Sequence, residues 1–286
     1  MIVGCSSALS LRDRMENIRQ AVERAKEFLE QHDGIAVSLP RPRVTHGIDD
    51  GHAGDETIRE IELDSAHLQS KRMIAYDGKD LRSRSFDILR NQVSRSMEQK
   101  GWKILAVTSP TPSCGKTLTA INLALSLARQ PEQQVLLVDM DLRKPQVADC
   151  LGLMGDEGLL GVIEGHTTLT GAIIRARIGS CKFEVLPTAP SLQSSDLIGS
   201  HAMTALLHEI GKQKRSRIVI VDLPPLLSGD DAMAILPQVD CVLFVAAVGI
   251  STVSEIEECN KHLESTDVVR FVLNKAPESK VSYQYY

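Results

Sequence analysis

Aromatic residues are scarce in this chain: they make up 3% of its 286 residues, and only one is a tryptophan. Three of the four tyrosines, Tyr283, Tyr285 and Tyr286, stand within the last four positions. Chain ends normally favour small polar and charged residues, so three phenols there indicate a use for their hydroxyl groups. The alternative is an unstructured end in which tyrosines cluster by chance.

Several other signals are missing. No apolar run approaches the roughly 20 residues of a membrane-spanning helix, and the N-terminus has no basic stretch followed by an apolar core. The six cysteines form no CxxC pair, which predicts free thiols in a reducing compartment rather than disulfides or a zinc site. A net charge of -5 gives no basic surface for nucleic acid. We therefore expect a cytoplasmic protein that does not bind nucleic acid and meets the membrane through a partner.

The chain divides into four predicted segments. Apolar residues recur at alternating spacings of four and three from Leu11 to Leu29, which predicts an amphipathic helix, either packed on its own domain or docking another chain. A stretch rich in Pro, Gly, His and acid follows and predicts a partly disordered linker. The segments are the N-terminal helix over residues 1–31, the linker over 32–78, a domain over 79–276 and a tyrosine-rich tail over 277–286.

Short apolar runs alternate with helical periodicity throughout the predicted domain. This alternation predicts an α/β fold with a doubly wound, mostly parallel sheet that has helices on both faces. The predicted strands are ILAVT at 104, VLLVD at 135, FEVLP at 183, IVIVD at 218, CVLFVAA at 241 and VVRFVLN at 268.

A phosphate-binding motif follows the first of these strands. The segment TSPTPSCGKT ends in Gly115, Lys116 and Thr117, directly before an apolar-faced helix. In such a loop backbone N–H groups converge on phosphate, the lysine reaches the β/γ bridge, and the threonine hydroxyl binds Mg²⁺. Pro110 stands where the usual motif has its leading glycine. The pattern therefore predicts a phosphate loop of a deviant Walker type.

Two further strand ends carry acidic side chains. VDMDLRKP closes the second strand with Asp139, Asp141 and Arg143, and VDLPP closes a later strand with Asp222. Because parallel strands bring their carboxyl ends to one edge of the sheet, we expect these groups around the phosphate loop. One Asp after a strand is more often a helix cap than a metal ligand. Three at the edge that carries GKT predict a site for phosphate and Mg²⁺.

These motifs occur together with GLLGVIEG at 158, VLPT at 185 and VLNK at 272. Over residues 68–276, and in its tyrosine-rich end, the chain resembles the bacterial tyrosine kinases of polysaccharide export. Those enzymes are P-loop kinases related to the partition and septum-site ATPases. The resemblance implies a protein-tyrosine autokinase that uses ATP and Mg²⁺ to phosphorylate Tyr283, Tyr285 and Tyr286, and so regulates the synthesis and export of exopolysaccharide or capsular polysaccharide.

The resemblance also implies partners. The first is a membrane-embedded polysaccharide co-polymerase, which acts as activator and recruits the kinase to the inner face of the plasma membrane. The others are further copies of the same chain and other protein-tyrosine substrates. The nucleotide-binding residues it implies are Ser113, Cys114, Gly115, Lys116, Thr117, Leu118 and Asn274.

Phosphoryl transfer to a phenol defines the remaining roles. A phenol with a pKa of about 10 needs a proton acceptor, and the phosphates need cations. Asp139 or Asp141 accepts the proton while the other, with Thr117 and Asp222, organises the metal. Asp141 is the acid expected among the metal ligands, but the sequence does not choose the base. Arg143 steadies phosphate charge, ties the acids together, or forms only a salt bridge. The end of the last strand, at Asn274, either faces adenine, as in related ATPases, or forms an ordinary turn.

The chain also departs from the family pattern in the predicted ring motif and directly after Asp222. Where relatives carry ExxRxxR for ring assembly, this chain has Arg84, Asp87 and Arg90, so a swapped ion pair preserves the ring or the ring is lost. Leu223 stands where Ser or Thr follows the aspartate. Two alternatives stay open: a partition-type regulatory ATPase, although Thr111 replaces its signature lysine, and a nucleotide-binding regulatory module with decayed kinase activity.

Overall fold

A computed structural model describes residues 2–3, 20, 23, 58–154, 157–191, 193–212, 217–264 and 266–276. Its strands are β1 (Ile2–Val3), β2 (Arg59–Glu62), β3 (Ile104–Thr108), β4 (Gln134–Asp139), β5 (Ile174–Ile178), β6 (Cys181–Leu186), β7 (Arg217–Asp222), β8 (Cys241–Ala247) and β9 (Val268–Asn274). Its helices are α1 (Ser65–Ser70), α2 (Arg84–Lys100), α3 (Lys116–Ala128), α4 (Val147–Leu151), α5 (Leu159–Ile163), α6 (Leu169–Ala172), α7 (Ser194–Ile198), α8 (His201–Lys212), α9 (Asp231–Ile235) and α10 (Val253–His262). Short 3₁₀ turns lie at Leu81–Ser83, Leu226–Ser228 and Leu236–Gln238.

The strands form a single sheet in the order β1-β9-β8-β3-β7-β4-β6-β5-β2. The six from β9 to β6 run parallel, β1 and β5 pair antiparallel with β9 and β6, and β2 pairs parallel with β5. All six strands predicted from the sequence are present and parallel, so the predicted α/β fold class is confirmed. Because β3 and β7 are central, the loop after β3 and the end of β7 lie beside each other.

Both faces of the sheet are buried, which explains why its strands are continuous apolar runs. Along β3, Ile104 and Ala106 face one core cluster, while Leu105 and Val107 face the other. The second cluster contains α2 and α3, and the first contains α8 and α10. Side chains that alternate between two apolar layers hold the strand ends, and with them the polar groups, at fixed positions.

The described part of the predicted linker, residues 58–78, contains regular structure. Residues 59–62 form β2, and α1 follows with Asp64 as its N-cap. Leu63, Leu68 and Met73 are buried in the second core cluster. Only one residue of β2, Ile61, is apolar, so the segment carries no strand signal that composition reveals; pairing with β5 supplies its hydrogen bonds. Regular structure therefore extends at least about 20 residues before the predicted boundary at residue 79.

Near the N-terminus, Ile2–Val3 is a strand paired with β9, although the sequence predicts a helix over residues 1–31. Gln20 and Glu23 are helical, and the rest of that segment lies outside the described residues. The tail over 277–286, with its three tyrosines, also lies outside them. Among the described residues, none of the helices has the length and apolar character to cross a bilayer.

Candidate functional site

The loop of residues 109–115 connects β3 to α3 and has the backbone of a phosphate cradle. Ser113 and Gly115 have φ angles of 67° and 91°, in the left-handed region. A Cβ on Gly115 would lie 2.2 Å from Nδ2 of Asn274, so both conformation and space require glycine here. The first N–H groups of α3 have no acceptor within the helix. They point into the loop and offer donors and a positive dipole end to an anion.

Lys116, the first residue of α3, lies among carboxylates. Its Nζ is 2.9 Å from Oδ2 of Asp141 and 3.5 Å from Oδ2 of Asp222. Burial lowers the pKa of Lys116, but the Asp222 and Asp141 carboxylates outweigh burial and raise it above its ordinary value. The ammonium group is therefore charged at neutral pH and ready to exchange a carboxylate for a phosphate oxygen.

Asp222, the last residue of β7, has an incomplete set of partners. The hydroxyl of Thr117 donates to its Oδ2 at 2.5 Å, whereas the buried Oδ1 has no hydrogen-bond partner among the described residues. Asp139 is its cross-strand partner. Burial, and to a lesser extent the Asp141 carboxylate, raise the pKa of Asp222. A buried carboxylate oxygen without a partner is costly unless a cation or a proton occupies it.

Asp139 and Asp141 differ in what their carboxylates do. Both oxygens of Asp139 accept backbone N–H groups, one from Asp141 at 3.1 Å and two from Gln146 and Val147 at 3.0 Å. Asp139 is fully buried, and burial together with the Asp222 charge raises its pKa to about 7. Asp141 instead lines the open cleft and reaches Lys116. Asp139 therefore shapes the β4–α4 loop, and Asp141 is the acid presented to a ligand.

Arg143 forms a salt bridge on the wall of the cleft. Its Nε donates to Oδ2 of Asp231 at 2.7 Å, and its Nη2 donates to Oγ of Ser195 at 2.9 Å. Asp231 is buried, and the hydrogen bond from Arg143 to it raises the pKa of Arg143. The salt-bridge interpretation of Arg143 is thus observed, although its partner is a residue that the sequence analysis did not single out. About 45% of the Arg143 side chain is exposed, on the wall of the cleft.

Three predicted nucleotide-binding residues, Cys114, Leu118 and Asn274, have side chains that contact other parts of the protein. Cys114 is fully buried, with its Sγ 3.3 Å from Oγ of Ser251. Leu118 packs against the second core cluster. Asn274 donates from Nδ2 to the carbonyl oxygen of Cys114 at 2.9 Å and accepts the N–H of Lys275 at 2.8 Å. Contact between Asn274 and adenine stays a prediction.

A cleft of about 450 Å³ opens beside Lys116. This volume lies in the range of about 300–1,000 Å³ that small-molecule sites occupy. The cleft is lined by Pro112, Ser113, Lys116, Asp141, Arg143, Lys144, Gln146, Pro224, Pro225, Ser228, Gly229 and Asp231. The motifs considered above do not include residues 226–231, although the PP pair at 224, two residues after the β7 aspartate, and the acid pair DD at 230 are signals of a rigid turn followed by a polar loop.

The residues at this edge fit Mg²⁺. Thr117, Asp141 and Asp222 carry oxygen atoms of the kind that Mg²⁺ prefers, and Oδ1 of Asp222, which has no partner among the described residues, is the observation that supports a cation there. No cluster of three or more His, Cys, Asp or Glu able to hold a metal occurs within the described part of the chain. Nucleotide sites commonly hold Mg²⁺ through one or two carboxylates together with phosphate oxygens.

Two departures from the family pattern have structural explanations. Leu223 is fully buried in the first core cluster, and its N–H donates to Val107, so its side chain faces away from the cleft. Asp87 accepts from Ser126 at 2.6 Å and from Arg129 at 2.7 Å, and Arg90 lies 3.3 Å from the same oxygen. Asp87 and Arg90 thus brace α2 against α3 within one chain.

Residues 105–284 match the family model described as the CobQ/CobB/MinD/ParA nucleotide binding domain. This stretch is more than half of the chain and contains the phosphate loop and every strand-end acid of the site. The chain belongs to this family. It is therefore a nucleotide-binding P-loop domain, as the sequence motifs predict.

The curated relatives are named as kinases. Tyrosine-protein kinase etk of Escherichia coli K12 is 30% identical over 185 residues, which are 63% of this chain and 24% of that protein. Tyrosine-protein kinase wzc of Salmonella typhimurium is 25% identical over 263 residues, 91% of this chain and 35% of that protein. The chain thus spans about a quarter to a third of the length of the curated relatives it matches.

Solved structures show the same fold. The kinase domain of Escherichia coli ETK aligns with a TM-score of 0.59 at 28% identity, covering 69% of this chain and 78% of that one. MinD of Pyrococcus horikoshii, solved with Mg-ADP, aligns with a TM-score of 0.53 at 21% identity, covering 62% and 72%. The resemblance to the bacterial tyrosine kinases and to the septum-site ATPases is confirmed.

Proposed function

We propose that the chain is an ATP-dependent protein-tyrosine autokinase that phosphorylates its C-terminal cluster Tyr283, Tyr285 and Tyr286. The observation that carries the proposal is the arrangement at the strand edge: Lys116 between Asp141 and Asp222, beside a carboxylate oxygen that lacks a partner among the described residues. This edge opens into a cleft large enough for phosphates and a side chain. Tyrosine is the proposed acceptor of the phosphoryl group because the relatives are named as tyrosine kinases and the chain ends in three phenols.

Residues of the loop would bind the triphosphate of ATP. Backbone N–H groups of residues 113–118 would donate to the α- and β-phosphates, and Lys116 would leave Asp141 for the β/γ oxygens. Thr117 and Asp222 would hold Mg²⁺, which would supply positive charge to the transferred phosphoryl group, and Asp141 would stay outside the metal's ligands. Arg143 would contribute charge from the cleft wall after exchanging Asp231 for phosphate.

Asp141 is our choice for the proton acceptor. A phenol becomes a good nucleophile only as its proton leaves, so an accepting carboxylate must lie in the cleft beside the γ-phosphate. Asp141 lines the cleft, whereas the oxygens of Asp139 are occupied by three backbone N–H groups. The departure of Lys116 toward phosphate frees Asp141 at the moment when the acceptor is needed. Asp139 holds the loop that presents it.

Regulation of exopolysaccharide or capsule production belongs to the same proposal. A membrane-embedded co-polymerase would recruit the kinase to the inner face of the plasma membrane, and further copies of the chain would assemble with it. Kinase relatives more than twice as long as this chain support the idea that the catalytic domain works with a larger partner system. Other proteins with exposed tyrosines would be additional substrates.

A partition-type ATPase is the second candidate, favoured by the likeness to MinD in fold. The two functions differ in the acceptor, which is a phenol in one and water in the other. The test measures phosphotyrosine and inorganic phosphate together after the purified chain is incubated with Mg²⁺ and ATP. We expect phosphotyrosine to account for most early turnover, and to vanish when all three tail tyrosines are Phe. Rapid phosphate release without phosphotyrosine would support the ATPase instead.

A further inference from the structure

The side chain of Asn274 connects the end of β9 to the phosphate loop. Its Nδ2 donates to the carbonyl oxygen of Cys114 at 2.9 Å, and its Oδ1 accepts the N–H of Lys275 at 2.8 Å. The carbonyl of Asn274 in turn accepts the N–H of Val248 at 3.0 Å, beyond the end of β8. The amide is thus held on both sides, and its direction is set by the ends of β8 and β9.

The contact with Cys114 sets the direction of an N–H group in the cradle. The carbonyl of Cys114 and the N–H of Gly115 belong to one planar trans peptide, so they point in opposite directions. A donor that fixes the carbonyl therefore fixes the N–H on the other side. Within the described part of the chain, no hydrogen bond is formed by the Gly115 N–H, which leaves it available to a phosphate oxygen.

The peptide at this position needs a support. Ser113 and Gly115 are both left-handed, which leaves the segment between them outside any regular ladder of hydrogen bonds. Gly115 also lies so close to Asn274 that any Cβ would overlap the amide nitrogen. The thiol of Cys114 lies 3.3 Å from Ser251, whose hydroxyl accepts the N–H of Ala247. Cys114 is therefore anchored at its carbonyl by Asn274 and at its side chain by Ser251.

We propose that Asn274 is a positioning residue for the phosphate loop: it orients the Cys114–Gly115 peptide so that the Gly115 N–H faces the bound phosphates. The inference rests on the nucleotide binding within the proposed function and assigns this residue a role distinct from adenine contact. The two roles predict different losses. A positioning residue affects every ligand that has phosphates, whereas an adenine contact affects only ligands that have the base.

The experiment compares Asn274→Asp with the wild type by calorimetric titration of ADP, GDP and inorganic tripolyphosphate in the presence of Mg²⁺. Aspartate has the same shape but places an acceptor oxygen against the Cys114 carbonyl. We expect all three ligands to bind about tenfold more weakly, the loss that follows when one such hydrogen bond becomes a repulsive pair. Asn260→Asp on α10 makes the same charge change outside the site and should leave the three affinities unchanged. Asn274→Ala, which removes the donor without adding charge, should weaken all three by about threefold.

Weaker binding of ADP alone, with tripolyphosphate unaffected, would overturn the proposal in favour of an adenine contact. Unchanged affinity for all three ligands in a variant with a lowered Tm would overturn it in favour of a merely structural turn. Neither readout requires phosphoryl transfer. If the wild-type chain binds ADP and tripolyphosphate but forms no phosphotyrosine, the autokinase proposal fails while the positioning of the loop by Asn274 is still tested.

Discussion

Two regions of this molecule place a carboxylate between a cation and a hydroxyl group, with opposite results. Where α2 packs against α3, Asp87 accepts from Ser126 at 2.6 Å and from Arg129 at 2.7 Å. At the strand edge, Asp222 accepts from Thr117 at 2.5 Å and lies 3.5 Å from the ammonium of Lys116. A carboxylate, a hydroxyl and a basic side chain thus meet in both regions.

The regions differ in the burial of the carboxylate and in whether each of its oxygens has a hydrogen-bond partner. The side chain of Asp87 is 23% exposed and therefore accessible to solvent, whereas that of Asp222 is 1% exposed and keeps one oxygen without a partner among the described residues. Asp222 also has a second carboxylate, that of Asp139, as its cross-strand neighbour. The described hydrogen-bond partners of Asp87 include no carboxylate. The first region is a completed brace, whereas the second holds unfavourable negative charge that a bound cation would relieve.

The largest effect is expected from Lys116→Met. Removing the ammonium takes away a charge-assisted contact to phosphate and leaves Asp141 and Asp222 uncompensated, so ATP should bind at least about 100-fold more weakly, about 3 kcal/mol. Calorimetric titration checks this. Lys261→Met, which removes an exposed lysine paired with Glu258, is the matched control and should bind ATP normally. Near-normal ATP affinity in a folded Lys116→Met variant would show that the strand edge is no more than a second brace.

Asp222→Asn should separate binding from stability. It removes a metal ligand, so the increase in ATP affinity that Mg²⁺ produces should fall by about tenfold or more.

Asp222 and Asp139 have raised pKa values in the folded chain, about 7 for Asp139, so their protonated forms favour folding. That contribution is complete at acidic pH and is lost as pH rises through the folded pKa.

The ligand-free wild type should therefore lose Tm as pH rises from about 4 to about 8, because an unfolded carboxyl titrates near 3.9. The Asp222→Asn change removes one of the two carboxyls, and the variant should melt about 2–4 °C above the wild type at pH 8. Thermal denaturation across pH without metal or nucleotide measures both. A variant that melts below the wild type at pH 8 would contradict the claim that Asp222 holds unfavourable charge.

A smaller effect is expected from Asp87→Asn. The brace loses its ion pairs with Arg129 and Arg90 but keeps an acceptor oxygen, so the free energy of unfolding should fall by about 1 kcal/mol, with ATP affinity unchanged. Denaturant unfolding and molar mass by light scattering are measured together. Loss of an oligomer at unchanged stability would show that Asp87 acts between chains rather than within one.

The sequence predicts the parallel sheet and the strand-edge site because both depend on local patterns. Apolar runs identify β3, β4 and β7, and the parallel topology then brings Lys116, Asp141 and Asp222 together without further information. Long-range partners leave no such pattern. Arg143 donates a hydrogen bond to Asp231, which lies 88 positions later in the sequence. Similarly, β2 is a strand only because β5 pairs with it. The different duties of Asp139 and Asp141 depend on backbone N–H groups that only the folded loop presents.

The central claim is that this strand edge transfers phosphate to the chain's own tyrosines. The most direct measurement is mass-spectrometric mapping of phosphate on the full chain after incubation with Mg²⁺ and ATP, beside a Lys116→Met sample treated in the same way. We predict phosphate on Tyr283, Tyr285 and Tyr286 of the wild type and none on the variant. ATP that is consumed while all three tyrosines stay unmodified, or tail phosphate that persists in the folded variant, would contradict the account.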